Sequence, residues 1–190
     1  MNLNPIPRIL KLGSEKIIGN TGQYNLELLD FWRWNQSDIL SNSLRGHFAE
    51  FLVKCALNIP SPIRVEWDNY DLITKSGKAI EVKSAAYIQS WEQKRYSSIR
   101  FSIKTSQGAR DHPKYDMKYR RWGDYYVFSL LKHKDPETIN PLNVDQWDFY
   151  VVSAETLNKH LPTQKSISLT KLQTIPHKKC SFHEIGDAIK

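Results

Sequence analysis

Two acidic residues and a lysine lie on either side of a short polar turn, and their types suit hydrolysis of a phosphate ester. Asp71 precedes the turn Ser76-Gly77, and Glu81 and Lys83 follow it. Because side chains alternate along a strand, Glu81 and Lys83 point to one face, while their apolar neighbours point into the core. Mg²⁺ is bound by a few carboxylate and carbonyl oxygens and retains several waters. A lysine beside such an ion can polarise one of these waters, so the pattern predicts metal-assisted attack on a phosphate.

The hairpin must satisfy one geometric condition if the two acids are to share a face. The residue numbers of two residues that lie opposite each other must add up to an even number, as they do when Asp71 lies opposite Lys83. A two-residue loop at Ser76-Gly77 would instead place Asp71 opposite Val82 and turn the acid away. The sequence therefore predicts a three-residue loop containing Gly77, or a β-bulge near Asp71.

Elements before the hairpin must position these residues. Apolar side chains at three- and four-residue spacing predict a helix from about Ser43 to Asn58, and alternation then predicts a strand over Ile63–Trp67. A shorter helix is expected within Tyr24–Trp34, and residues 1–23 are expected to form an irregular arm. The hairpin is thus predicted to follow a helix and a strand.

Elements after the hairpin are expected to complete a sheet. Alternating or densely apolar runs predict strands over Ser98–Ile103, Tyr125–Leu131 and Asp148–Val152. Ser153 can cap a helix over Ala154–His160. Weaker patterns predict a strand or helix start at Ser168–Leu172 and a short helix at Glu184–Ile189. The mixture favours an α/β fold with a central mixed β-sheet flanked by helices.

Length and composition are consistent with one enzyme-sized domain over residues 1–190. The chain has 190 residues, a mass of 22.2 kDa and 40% hydrophobic residues, enough to bury a core. Residues 24–131 are expected to hold the helices and the catalytic sheet, and residues 132–190 to complete the sheet. Since no apolar run reaches the roughly 20 residues of a membrane span, and the first residues lack a leader-like pattern, a cytoplasmic protein without a membrane partner is expected.

Positive charge is concentrated just after the hairpin. The net charge is +7 and the pI is about 9.3, which favours a polyanionic partner. Aromatic residues are interspersed with the cations, a mixture suited to phosphate and base contacts, although a solvated basic surface loop is an equal alternative for this segment alone. The predicted nucleic-acid-binding residues, between Trp91 and Trp122, are Lys94, Arg95, Arg100, Lys104, Arg110, Lys114, Lys118, Arg120 and Arg121. Gln89, Trp91 and Gln93 are candidates for lining a substrate cleft, and packing is an equal alternative for Trp91.

Over about residues 43–103 the chain resembles the PD-(D/E)XK nuclease superfamily, which has a restriction-endonuclease-like fold. In that family an Asp begins one strand and (Asp/Glu)-x-Lys lies in the next, as Asp71 and Glu81-Val82-Lys83 do here. Tyr70 replaces the proline of the family motif, a common departure. Family members also place an inward-facing Glu on the preceding helix, and Glu50 is the matching residue, much as in archaeal Holliday-junction resolvases.

The resemblance implies a DNA endonuclease with a restriction-endonuclease-like core. It implies that Asp71, Glu81 and the Val82 carbonyl bind Mg²⁺, with Mn²⁺ as a substitute. Glu50 would reach this ion or a second one through water, and Lys83 would orient or help deprotonate the attacking water. Such enzymes leave a 5′-phosphate and a 3′-hydroxyl, and a homodimer, common among them, would cut both strands.

Alternative interpretations accompany each of these assignments. Glu-x-Lys also occurs on solvated strand faces, Asp71 can be an acid at a strand edge, and Glu50 can pair with Lys54 across one helical turn, which contributes only about 0.2–0.5 kcal/mol. A nucleic-acid-binding or assembly protein that keeps the fold without turnover is a second function. It predicts salt-sensitive binding with no metal requirement.

Overall fold

The structure is a computed structural model that describes residue 4 and residues 6–66, 68–107 and 117–189. Its helices and strands follow one another along the chain as β1 Lys16–Gly19, β2 Gly22–Glu27, α1 Leu28–Gln36, α2 Asn42–Ala56, β3 Leu72–Ile73, β4 Ala79–Ala86, β5 Arg100–Ser102, β6 Tyr125–Leu131, β7 Trp147–Ser153, α3 Ala154–His160, β8 Ser166–Ser168, α4 Leu169–Leu172, β9 Lys178–Cys180 and α5 Ile185–Ala188. Among the described residues, no helix is long and apolar enough to span a bilayer.

A mixed sheet of five strands forms the centre of the described structure, in the order β3-β4-β6-β7-β9. β4 and β6 are parallel, and the other neighbours are antiparallel. β6 is central because Tyr125–Leu131 is apolar at almost every position, so both of its faces can be buried. The expected α/β fold with a central mixed sheet is therefore confirmed.

The two faces of the sheet are covered by different elements. On one face α2 contributes Ala49, Leu52 and Val53, which lie in the same cluster as Ile80 and Val82 of β4. The opposite face is covered in part by a small antiparallel sheet of β5 and β8, together with α3. Because residues alternate along β4, the side chains of odd-numbered residues, including Glu81, point to this second face.

Several sequence-based element predictions are confirmed and others are wrong. The helix predicted over Ser43–Asn58 is α2, and the helix predicted over Ala154–His160 is α3, with the Ser153 hydroxyl accepting from the Thr156 N–H. No strand forms within the described residues 63–66, where a strand was expected. The predicted irregular arm instead contains β1 and part of β2, and all residues of β1 are exposed.

Candidate active site

The hairpin carrying the acidic residues has a three-residue loop. The Thr74 N–H donates to the Lys78 carbonyl at 2.9 Å, leaving Lys75, Ser76 and Gly77 in the loop. Gly77 has φ +82°, a left-handed conformation that glycine adopts without strain. Leu72 pairs with Ile80, so the residue numbers of opposite residues add up to an even number, as the common face requires. The expected three-residue loop containing Gly77 is confirmed. Continued by one pair, this register would set Asp71 opposite Glu81, on the same face of the hairpin.

Asp71 is fixed at the end of β3 by backbone and side-chain contacts. Its N–H donates to the Ile80 carbonyl at 3.1 Å, one residue out of register, and its carboxylate accepts from the Val82 N–H at 2.7 Å. The Lys83 ammonium lies 3.8 Å from the same carboxylate oxygen. Just before β3 begins, the carboxylate of Asp71 therefore takes the place of a backbone carbonyl and accepts from the Val82 N–H of β4.

Glu81 and Lys83 share the face of β4 that looks toward the second core cluster. Their register partners on β6 are Tyr126 and Phe128, both buried in that cluster. The Lys83 ammonium also forms a close ion pair with Glu81. One ammonium therefore contacts two carboxylates, and the predicted convergence of Asp71, Glu81 and Lys83 is present in the structure.

The site has an excess of negative charge in a partly buried setting. Burial, with the negative charges of Glu81 and Glu50, raises the pKa of Asp71 to about 7, although Lys83 and the Val82 N–H act in the opposite direction. Burial alone would lower the pKa of Lys83, but the charges of Glu81 and Asp71 outweigh it, and that pKa is raised. Lys83 is therefore protonated at neutral pH, while Asp71 is poised to exchange a proton.

Strand geometry directs the Val82 carbonyl to the side of β4 on which Asp71 lies. In a strand the N–H and C=O of one residue point to the same side, and the Val82 N–H points to Asp71. Among the described residues β3 pairs with Ala79 and Ile80, so the Val82 carbonyl lies beyond the part of β4 that β3 covers. Two carboxylates and a carbonyl are the hard oxygen ligands that Mg²⁺ takes, and Mg²⁺ often binds through only one or two carboxylates. The residues present thus fit the implied ion, which would also relieve the repulsion that raises the pKa of Asp71.

Glu50 reaches the site from α2 but is engaged by an arginine. The Glu50 carboxylate accepts from Arg64 Nε at 2.6 Å and from Nη2 at 3.1 Å. Glu50 and Asp71 line the same cavity of about 230 Å³, between α2 and residues of the ranges 59–65 and 68–73. Within the described residues, no group of three or more His, Cys, Asp and Glu side chains is arranged to hold a metal. Glu50 is near the acids but is not assembled with them.

Gly123 connects the basic segment to Glu81. A Cβ atom at residue 123 would lie 3.1 Å from Glu81 Cβ and 3.2 Å from Glu81 N, which is too close for an ordinary contact. Immediately before it, the Arg120 guanidinium stacks on the Trp122 ring, 3.9 Å from its centroid. Sequence reasoning missed Gly123, whose only signal is its place just before a buried strand. The backbone just before β6 therefore runs against Glu81, and a side chain at residue 123 would force Glu81 to shift.

Arg121 is the main correction to the predicted nucleic-acid-binding set. It is only 7% exposed. Its guanidinium donates to the carbonyls of Ile103, Leu161 and Gln164 and, at 2.6 Å, to Asn158 Oδ1. With its donors used inside the protein, Arg121 joins the segment after β5 to the end of α3 and does not present its charge to a substrate.

The remaining predicted cations divide by environment. Those that the structure describes are exposed, as a nucleic-acid contact requires, and they are Lys94, Arg95, Arg100, Lys104, Lys118 and Arg120. Arg100 also donates to the Ser166 hydroxyl at 3.1 Å. Arg110 and Lys114 lie outside the described residues.

The three candidates for a substrate cleft also divide by environment. Gln89 is buried; its side chain accepts from Arg45 and donates to the Ala86 carbonyl. Gln93 accepts from the Gln89 N–H at 2.7 Å and donates to the Ser97 hydroxyl at 3.0 Å. Trp91 is 53% exposed. The two glutamines therefore stabilise the loop after β4, and of the three only Trp91 offers a surface to a ligand.

Neither a scan against protein-family models nor a search of curated proteins gives a match to this chain.

Proposed function

We propose that this protein is a magnesium-dependent deoxyribonuclease with a restriction-endonuclease-like core, acting as an endonuclease on DNA. The observation that carries the proposal is that Asp71, Glu81 and Lys83 converge at the end of β3, with the pKa of Asp71 raised to about 7 by burial and by neighbouring carboxylates. Acids whose pKa is strongly shifted by burial and by specific neighbouring charges concentrate at functional sites.

Asp71, Glu81 and the Val82 carbonyl would hold the ion, and Mn²⁺ would substitute for Mg²⁺. When bound, the ion would lower the pKa of a water and stabilise charge on the phosphate. Lys83, protonated at Nζ because its pKa is raised, donates hydrogen bonds that orient the attacking water or a phosphate oxygen. The cations Lys94, Arg95, Arg100, Lys104, Lys118 and Arg120 are exposed, which supports the proposal that they bind the phosphate backbone.

Cleavage of a supercoiled plasmid and of a duplex oligonucleotide tests the proposal. Wild-type protein should cut in Mg²⁺ or Mn²⁺ and not in EDTA. Asp71→Asn and Lys83→Ala should abolish cutting, and Arg33→Gln, on the exposed helix α1, should not change it. Cutting that survives both active-site substitutions would overturn the assignment.

A specific observation also favours a second function, binding of nucleic acid without turnover. The Lys83 ammonium already contacts both carboxylates, and Arg64 already contacts Glu50, so the acids have cationic partners without a metal. This candidate predicts salt-sensitive binding that is equal in Mg²⁺ and EDTA and yields no product.

A further inference from the structure

Arg64 contacts Glu50 through only one edge of its guanidinium group. Nε and Nη2 donate to the two Glu50 oxygens at 2.6 and 3.1 Å, a bidentate arrangement on a side chain that is 12% exposed. Burial of Arg64 would by itself lower its pKa, but the hydrogen bond to Glu50 outweighs this and the pKa is raised. The contact fixes the plane of the guanidinium group, since a planar fork has little freedom once two donors are held.

The second edge of Arg64 is nearly unused. Nη1 lies 3.4 Å from Glu66, whose side chain is 67% exposed, and the Arg64 side chain is itself 37% exposed. A contact that is so long and so open to water contributes little. Nη1 therefore offers donors in a fixed direction to a ligand that can displace the Glu66 contact.

The position of Arg64 limits the class of ligand. Arg64, Glu50 and Asp71 line the same cavity of about 230 Å³, and Lys54 and His47 line it as well. Phe51 and Ile63 contribute apolar surface. An anion with an attached apolar or aromatic group matches this mixture, and a nucleotide unit of a polynucleotide has this chemistry.

We propose that Arg64 binds a backbone phosphate beside the scissile one through Nη1, while its other edge continues to orient Glu50. The inference rests on the proposed nuclease function and adds to it a residue that couples substrate binding to the position of Glu50. Arginine is suited to the task because it can serve two oxyanions with two edges, whereas lysine is a single point charge. Sequence reasoning missed Arg64 because alternation over Ile63–Trp67 predicted a strand.

The test measures binding of a labelled duplex oligonucleotide by fluorescence anisotropy over a range of salt concentrations, in Mg²⁺ and in a Lys83→Ala background that prevents turnover. Adding Arg64→Gln should make the slope of log Kobs against log salt less negative by about 0.9, the value of one phosphate contact on duplex DNA. Affinity should fall about three- to tenfold. Arg33→Gln, another exposed arginine beside an acid, should leave the slope unchanged.

A second pair of variants guards against misfolding. Removing Arg64 leaves Glu50 without its partner, so Glu50→Gln is compared with Glu50→Gln/Arg64→Gln, in which neither protein holds an unpaired Glu50. The same loss of about 0.9 in slope is expected between these two. An unchanged slope in both comparisons, with wild-type protein still cutting the oligonucleotide, overturns the role of Arg64 alone. Failure of the wild-type protein to cut overturns the proposed function instead.

Discussion

Two clusters of acidic and lysine residues lie at opposite edges of the central sheet, with opposite proportions of charge. At the β3 edge, Lys83 contacts two carboxylates, Asp71 and Glu81. Toward the β9 edge, the single carboxylate of Asp148 contacts two ammonium groups, those of Lys132 and Lys179, both at 2.8 Å. The cluster at the β3 edge thus has more carboxylates than ammonium groups, and the cluster around Asp148 has more ammonium groups than carboxylates.

The pKa values follow this difference. Burial raises the pKa of Asp71 to about 7, and its acidic neighbours act in the same direction. Burial would also raise the pKa of Asp148, but hydrogen bonds from Lys132 and Lys179 outweigh it and hold that pKa below its usual value. Asp148 is thus a satisfied structural acid. The charged form of Asp71 is disfavoured by burial and by neighbouring carboxylates, and a bound cation would relieve that repulsion.

The largest expected effect is a difference in the rate of DNA cleavage between variants of the two clusters. Asp71→Asn and Lys83→Ala should each reduce the rate of DNA cleavage by about a hundredfold or more, the usual scale for removing one electrostatic contact to a transition state. Asp148→Asn is the matched control and should retain the wild-type rate. Initial rates on a duplex oligonucleotide in Mg²⁺ measure this, and equal losses at Asp71 and Asp148 would contradict the distinction.

The second expected effect is a difference in how stability depends on pH. Since the pKa of Asp71 is higher in the folded protein than the unfolded value of about 3.9, the folded state binds the extra proton between about pH 4 and 7. Its contribution to the free energy of unfolding is therefore present at low pH and lost as pH rises through 7. At 1.36 kcal/mol per pKa unit the full difference would be about 4 kcal/mol, and we expect roughly 2 kcal/mol because Asp71 keeps some contact with solvent. Asp71→Asn should remove this decline.

Asp148 should show the opposite dependence in the same metal-free denaturation series. Its lowered pKa stabilises the folded protein above about pH 4, and that contribution is lost as pH falls through its folded value. Asp148→Asn should therefore destabilise the protein at pH 7, and the effect should shrink as the pH falls through the folded-state pKa of Asp148. The free energy of unfolding of the wild-type protein could instead rise between pH 4 and 7. If Asp71→Asn left that rise unchanged, the charged form of Asp71 would not be disfavoured in the folded protein.

A smaller effect is expected from the close contact that supports the acidic cluster. Gly123→Ala places a methyl group 3.1 Å from Glu81 Cβ, which should cost about 1–3 kcal/mol of stability and slow cleavage. Gly46→Ala is the control: nothing lies within 4 Å of the added atom, and alanine should stabilise α2 by about 0.5–1 kcal/mol. Thermal unfolding and cleavage rates are compared, and equal behaviour of the two variants would argue against tight contact at Glu81.

The smallest expected effect lies in the structural cluster. Lys179→Ala should reduce stability by less than about 1 kcal/mol, because the lysine side chain is 53% exposed and Lys132 still contacts Asp148. Cleavage should be unchanged. A loss of activity here would mean that the two clusters are not separable.

The sequence was sufficient to predict the features that depend on residues close together in the chain. The loop around Gly77, the alternation of Glu81 and Lys83, and the helix α3 with its Ser153 cap depend on neighbours within a few residues, and each is present in the structure. The convergence of Asp71 with Glu81 and Lys83 could be predicted because a hairpin connects them.

The sequence was insufficient to predict the role of residues whose contact partners are distant along the chain. Arg121 shares a charged, aromatic segment with Arg120, and only its bonds to residues near the end of α3 distinguish a buried arginine from an exposed one. Arg64 lies in an alternating stretch that lacks a neighbouring strand to pair with, so it forms a loop facing Glu50 instead. Gly123 is required only because β6 enters the sheet beside Glu81, a tertiary contact.

Crystals grown with Mn²⁺ and measured by anomalous diffraction test most directly the claim that the acidic cluster is a metal-binding active site and the Asp148 cluster is not. One anomalous peak is expected between the Asp71 and Glu81 carboxylates, within coordination distance of the Val82 carbonyl, and this peak should be lost in Asp71→Asn. No peak at these acids at saturating Mn²⁺, or a peak at Asp148 instead, would contradict it.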